Sequence, residues 1–244
     1  MNALAPSIPF GPVFVLAPCG GARTTVAGAE VLLRVSGALW LPGQQALVVG
    51  DLHLEKGSAY AARGQLLPPY DTGETLRRLG AEVAALSPRR LILLGDTLHD
   101  RQAEARLAPA DAERVAELAR GLTLTWVVGN HDADGPRRLP GEAAGTVNLA
   151  GLILRHEPQD GPQPGEVAGH LHPCARVVAR GSSVRRRCFV TDGQRLILPA
   201  FGAYAGGLNV RDPAFAGLFP APPVVVALGS RRAHPVGWAA LAGD

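Results

Sequence analysis

Three apolar runs in this chain end alike, and that repetition restricts its fold more than any other feature. Leu47-Val48-Val49 runs into Gly50-Asp51, Leu91-Ile92-Leu93-Leu94 into Gly95-Asp96, and Trp126-Val127-Val128 into Gly129-Asn130. Short continuous apolar runs suit strands buried on both faces. Helical patterns separate them. Asp71-Thr72-Gly73-Glu74 has the spacing of a capping box, Leu76, Leu79, Val83 and Leu86 follow at helical intervals, and Pro88 stops the run. A second helix is expected from Pro109 to Gly121. Strand–helix–strand connections make the three strands parallel, so their carboxyl ends share one sheet edge, where open α/β sheets bind ligands. At each end a glycine permits a sharp turn, and a residue with a ligating oxygen follows it.

After Gly145 the helical signal disappears. Strands are expected over Thr146 to Leu154, Glu166 to Ala168, Ala175 to Ala179, Val184 to Thr191, Arg195 to Leu198 and Val224 to Leu228, with Asp192-Gly193 as a hairpin turn. The chain has 244 residues, against a loose prior of ~150 per domain. No linker or low-complexity stretch divides it, so one domain over 1–244 is expected. Hydrophobic residues make up 47% and charged residues 18%, which is enough apolar material for a core and too much for a disordered chain. No apolar run reaches the length of a membrane-spanning helix.

Formal charge is +3, which permits a nucleic-acid partner without requiring one. Of 24 cationic residues Lys56 is the only lysine. With 30 Gly and 21 Pro, this points to a GC-rich coding bias, so the arginines are weak evidence for nucleic acid. Cys19, Cys174 and Cys188 form no framework and are expected as reduced thiols. The apolar stretch Phe10 to Ala17 lacks the basic flank of a secretory signal, the first basic residue being Arg23, so it is expected as an edge strand or arm of a cytoplasmic protein.

Histidines sharpen the picture at the sheet edge. His53 lies two residues after Asp51, His131 follows Asn130, and Gly169-His170-Leu171-His172 places two imidazoles two residues apart. Asp, Asn and His together suit borderline divalent transition metals. Two Asp, one Asn and four His are too many for one tetrahedral ion and fit two ions about 4 Å apart with a shared carboxylate.

The ordered set Asp51-x-His53, Gly95-Asp96, Gly129-Asn130-His131-Asp132, His156 and Gly169-His170-x-His172 resembles the calcineurin-like metallophosphoesterase superfamily. Arg155 stands before His156, where many members have a small or polar residue. Asp51 to Gly57, Leu67 to Thr72, Gly95 to Asp100, Leu198 to Tyr204 and Gly206 to Asn209 resemble one bacterial branch. That branch is the ligase-associated DNA damage response endonucleases of the PdeM type, also described as metallophosphoesterase partners of the Lhr helicase.

The resemblance implies an αββα four-layer sandwich, two mixed sheets face to face with helices outside. It implies that Asp51, His53, Asp96 and His172 hold one divalent ion and Asp96, Asn130, His156 and His170 a second, with Asp96 as the bridge. Mn²⁺ is the first candidate, with Fe, Zn, Ni and Co as others. Activated water would attack phosphorus, and His131 would protonate the leaving oxygen, with Asp132 orienting that imidazole or simply bracing its turn. His99 would contact phosphate or the leaving group, or act through a hydrogen bond from behind. Tyr60, Arg63, Tyr70, Phe201 and Tyr204 lie in the branch-specific loops and are candidates to stack single-stranded bases. Arg185-Arg186-Arg187 is a candidate backbone contact or a solvated strand face.

The implied function is a phosphodiesterase acting as an endonuclease on single-stranded DNA in repair, with a DNA ligase, an exonuclease or an Lhr-type helicase as functional partner. A phosphomonoesterase or small-molecule phosphodiesterase shares the same ligands and stays open. A non-catalytic interaction scaffold would be expected to have lost ligands, and none is missing.

Overall fold

The computed structural model describes residues 11–179 and 181–244. Its first sheet contains β1 (Val15–Leu16), β2 (Ala22–Val26), β3 (Ala29–Leu33), β4 (Leu39–Leu41), β5 (Ala46–Val49), β6 (Arg90–Leu94), β7 (Thr123–Val127) and β8 (Glu142–Ala144), in that spatial order. From β1 to β5 neighbours are antiparallel; from β5 to β8 they are parallel. The three apolar runs are therefore β5, β6 and β7, adjacent and parallel as expected. Between them lie α1 (Lys56–Ala61), α2 (Asp71–Leu86), α3 (Ala103–Arg106) and α4 (Pro109–Leu118).

The second sheet contains β9 (Val147–Leu149), β10 (Leu152–Arg155), β11 (Glu166–Ala168), β12 (Pro173–Ala179), β13 (Ser182–Thr191), β14 (Leu196–Ile197), β15 (Leu208–Asn209), β16 (Val224–Leu228), β17 (Ala233–Val236) and β18 (Leu241–Ala242). The main path is β15-β12-β13-β14-β11-β10-β9; β16 joins β13 to β17, and β18 pairs with β12. The sheet is mixed, because β10 with β11, β11 with β14 and β12 with β15 are parallel.

The sheets pack face to face. Leu33, Leu39, Val48, Ile92 and Leu94 of the first meet Leu154, Val167, Phe189, Leu196 and Val226 of the second in one buried core. Burying such a side chain is worth roughly 1.5–3 kcal/mol. On the outer face of the first sheet, Leu47, Val49, Leu91, Leu93 and Trp126 pack against Leu76 and Leu79 of α2 and Val115 of α4. This double cover explains why β5 is buried at every position, whereas in β2 buried Ala22, Thr24 and Val26 alternate with exposed Arg23 and Thr25.

The outer face of the second sheet is covered by Val210, Phe215, Leu218 and Leu241, which lie in coil, a short 3₁₀ turn and β18. All four α-helices of the described residues fall within 56–118, so the second flank is built from coil, in keeping with the missing helical periodicity after Gly145.

Local differences have identifiable causes. Asp71 does not cap α2: it is the first helical residue, and its carboxylate accepts the Gly57 amide (2.8 Å). Thr146 to Leu154 is not one strand but the β9–β10 hairpin, turning at Ala150 and Gly151, both with positive φ (55° and 78°). An Ala-Gly pair is a weak hairpin signal beside Asn-Gly or Asp-Gly. Asp192 makes its turn as expected, accepting the amides of Gln194 and Arg195. The apolar stretch before Cys19 supplies edge strand β1, while Phe10 lies outside the described residues.

Candidate metal centre

The loops that leave β5 and β6 run side by side and continue the parallel pairing past the strands. Asp51 donates its amide to the Gly95 carbonyl (3.1 Å), His53 to Asp96 (2.9 Å), Leu54 to Thr97 (2.8 Å), and His99 back to Leu54 (3.0 Å). This lacing holds an unfavourable backbone: Asp51, His53 and Asp96 have φ of 56°, 46° and 46°. His170 and His172 share it, at 67° and 46°. Left-handed non-glycine residues are costly and cluster where function over-determines the backbone.

Two of the flanking glycines are needed for close approach. A Cβ on Gly95 would overlap the His156 ring, and one on Gly129 would overlap Asp96. The second sheet supplies its residues from the ends of the parallel pair β10 and β11. His156 follows Arg155 directly, and the His170 amide donates to both Asp51 oxygens (3.1 and 3.0 Å).

All seven expected ligands meet here, in two groups. In one, His53 Nε2 lies 3.2 Å from His172 Nε2, and His172 Nε2 lies 3.1 Å from Asp51 Oδ1. In the other, His156 Nε2 lies 2.9 Å from Asn130 Oδ1, 3.1 Å from His170 Nδ1 and 3.4 Å from Asp96 Oδ2. Asp96 Oδ2 faces the first group as well, 4.0 Å from His53 Nε2. A third cluster, His53 with His99 and His131, lies alongside.

The donor set fits divalent cations. The Leu94 carbonyl accepts from His156 Nδ1 (3.2 Å), so a neutral His156 turns the lone pair of Nε2 toward two oxygens and another imidazole. Buried acceptors that face one another need a proton or a cation between them. Burial, then the neighbouring His172, push His53 down to about 3, so it stands neutral and ready to coordinate. Burial alone would raise the Asp96 carboxyl, but hydrogen bonding and charge at His156 and the His131 amide outweigh it and hold the carboxyl at about 2. His156 moves the other way: burial disfavours its charge, yet Asp96 and Asp51 outweigh burial and raise it.

No protein-family model and no curated protein matches the chain. Among solved structures, the Pseudomonas putida nuclease MPE is 29% identical, with a TM-score of 0.66, over 88% of this chain and 100% of that one. Over most of its length the chain is thus similar to a nuclease, in keeping with the metallophosphoesterase resemblance of its motifs. The E. coli phosphoesterase Yfce also matches, at 17% identity and a TM-score of 0.38, over 79% of this chain and 98% of that one.

Beside the expected ligands stands His131. Its amide donates to Asp96 Oδ1 (2.9 Å), and the His99 carbonyl accepts from its Nδ1 (2.7 Å). Nε2 is thereby left on the site side, 3.8 Å from Asp96 Oδ2. Asp132 does not orient this ring. It is buried, and it accepts the amides of Thr97 and Leu98 on one oxygen (2.8 and 3.1 Å) and Gly129 on the other (2.9 Å). It braces the Asp96 loop, and a carbonyl rather than a carboxylate sets the His131 tautomer.

His99 stacks on His131 at 5.5 Å and sets its Nδ1 3.5 Å from His53 Nδ1. Burial and then the Lys56 charge lower its pKa.

Of the proposed stacking residues, Tyr60 stands beside His99, with ring centroids 6.2 Å apart. Phe201 is fully buried under Arg78, Tyr204 donates to the Pro68 carbonyl, and Tyr70 lines a cleft with α2 and α4 residues. Arg187 is tied to the Ala200 and Ser36 carbonyls and Arg185 to Gly207 and Asp244, so the arginine run is held largely by its own fold. Asn209 accepts the Arg211 amide and donates to the Ala242 carbonyl, bracing its loop. The three cysteines are free, Cys174 and Cys188 buried and Cys19 exposed. No helix of the described residues is long and apolar enough to cross a membrane.

Proposed function

We propose that this protein is a metallophosphoesterase, a metal-dependent phosphodiesterase that cuts single-stranded DNA internally, in DNA repair. The observation that carries the reading is Asp96, whose Oδ2 faces both ligand groups while its Oδ1 accepts the His131 amide. Asp51, His53, Asp96 and His172 would hold one divalent ion and Asp96, Asn130, His156 and His170 the other, and Mn²⁺ is the ion we name. Bound divalent ions supply charge for the phosphate oxygens and make water acidic enough to act at neutral pH.

The chain's own contribution is orientation and a proton. Asp132 fixes the Asp96 loop through three backbone amides. The His99 carbonyl fixes the proton of His131 on Nδ1, so a second proton on Nε2 can pass to a leaving alkoxide. His99 and Tyr60 line the approach to that nitrogen.

The nuclease relative supports a nucleic-acid substrate. A site set at strand ends among several loops favours a chain that can bend into it, and duplex DNA, with a persistence length of ~150 base pairs, bends at a cost. Functional coupling to a DNA ligase, an exonuclease or an Lhr-type helicase rests on the branch resemblance alone.

The test is closed circular single-stranded DNA, which offers no ends. Enzyme loaded with Mn²⁺ is expected to open the circle and to cut duplex far more slowly. An intact circle together with rapid hydrolysis of simple phosphomonoesters would replace this reading with a phosphatase.

A further inference from the structure

Beyond the ligands and His131, one cation stands at the centre with no assigned task. Lys56 is the only lysine of the chain, against 23 arginines. It opens α1, immediately after Glu55, whose left-handed backbone (φ 66°) turns the chain away from the ligand loop. The Lys56 Nζ lies 6.0 Å from the centroid of the Tyr60 ring, which neighbours His99, which in turn stacks on His131. A file of side chains thus runs from the ammonium to the proposed proton donor.

Carboxylates of the adjoining segments are engaged elsewhere. Arg106 takes Asp100 at 2.8 Å and also donates to Ser58 of α1. Glu55 accepts from the Thr72 hydroxyl, and Asp71 accepts the Gly57 amide. Among the described residues Lys56 has no salt-bridge partner within 4.0 Å. It is half-buried, so its stem is held while its charge stays available, and that charge is felt at His99. Arg63, seven residues on, is a further exposed cation whose charge also acts on His99.

A phosphate is a natural counter-ion for an unpaired ammonium beside a phosphodiesterase centre. A compact ammonium with three rotatable donors can follow a mobile phosphate, where a guanidinium demands a fixed fork. The scissile phosphate itself is claimed by the seven ligands and His131. Lys56 stands outside them, past His99 and Tyr60, where a neighbouring nucleotide of a bound strand would pass.

We propose that Lys56 is a strand-binding residue: its ammonium pairs with a phosphate next to the scissile one, and Tyr60 walls that subsite. This rests on the nucleic-acid reading above and adds a basis for preferring a polymer over a small diester.

The test compares Mn²⁺-loaded wild type, Lys56→Ala and Lys56→Arg on two substrates: a single-stranded oligonucleotide and bis(p-nitrophenyl) phosphate, which has no second phosphate. Circular dichroism checks folding of each variant. Lys56→Ala is expected to lose about tenfold more kcat/KM on the oligonucleotide than on the small diester, as for one lost charge-assisted contact. The slope of log(kcat/KM) against log salt should flatten by about 0.7, the value for one phosphate of a single strand. Lys56→Arg should restore the slope. Equal losses on both substrates, or an unchanged slope, would overturn the role of Lys56 while leaving the nuclease reading intact. Wild type that hydrolyses the small diester but not the oligonucleotide would overturn both.

Discussion

The first sheet brings Asp51, His53, Asp96 and Asn130 to the centre from loops after three adjacent parallel strands, whereas the second brings only imidazoles, His156, His170 and His172, from the ends of β10 and β11. The oxygens sit in loops laced to each other by backbone hydrogen bonds, and Asp132 locks them from behind. The imidazoles lean in across the sandwich; the His156 ring rests on Gly95, and the His170 amide holds Asp51. One side thus carries the fixed negative charge and the other adds imidazoles that would complete the coordination of a bound cation. A change on the first side should reach both ligand groups, and a change behind the second should act through stability.

Asp96→Ala is the largest expected break. It removes the carboxylate that faces both groups, so metal analysis by mass spectrometry should find the variant depleted of most metal, and phosphodiesterase activity should vanish. Retention of two tightly held ions would place the bridge elsewhere. His131→Ala tests the same sheet at a residue outside the ligands. Metal content should stay at the wild-type level while turnover falls on the order of 10²-fold for a lost proton donor. The loss should shrink for a leaving group that needs no proton, and equal losses on good and poor leaving groups would argue against proton donation.

Much of this contrast is legible in the residues alone, and unevenly. The first sheet announces itself, because a buried parallel strand followed by glycine and a ligating oxygen recurs three times, and covering both faces demands the unbroken apolar runs. In the second sheet only the histidines stand out. Its strands are short and their pairing is long-range, so Ala150-Gly151 hides a hairpin and β15, β17 and β18 carry no local pattern. Helix α1 is equally silent: Lys56 to Ala61 contains a glycine and no apolar period, and tertiary bonds to Asp71 and Arg106 hold it. The part of Asp132 was open in the sequence because a carboxylate beside a histidine suggests orientation. Only the backbone geometry shows that it serves the amides instead. Tyr70 and Phe201 share a motif neighbourhood with the site, yet packing takes them away from it.

The second sheet offers a sharper test of stability against chemistry. Arg195 and Glu166 are both almost fully buried and pair at 2.8 Å at the start of β11. Arg195→Met removes the close cation from Glu166, which keeps only Arg155 at 3.6 Å and the Gln159 amide, and should cost about 3 kcal/mol in chemical denaturation. Below its unfolding transition the variant should still bind metal and turn over at near wild-type rates. Weakened metal binding in the folded variant would show that the two sheets are coupled more tightly than the packing suggests.

The smallest effect expected concerns pH. His53 titrates near 3 in the folded metal-free protein rather than at its ordinary 6.5, and His99 and His170 are also lowered. The unfolded chain therefore binds more protons between those values, so stability falls as pH drops from about 6.5 toward 3. The raised His156 contributes the opposite sign, its stabilisation being present below 6.5 and lost as pH rises through its folded value. The large shift of His53 sets the sign among these imidazoles, a net loss on acidification. The thermal midpoint of metal-free protein should fall over that window, and His53→Gln should flatten the slope; a flat profile in the wild type would contradict the buried, neutral state of the cluster.

The most direct measurement is the anomalous scattering of Mn²⁺ soaked into crystals of the protein. Two peaks about 4 Å apart are expected, one by Asp51, His53 and His172, the other by Asn130, His156 and His170, with Asp96 touching both. A single peak, or a peak held by His53, His99 and His131 in place of either group, would contradict the shared-carboxylate centre.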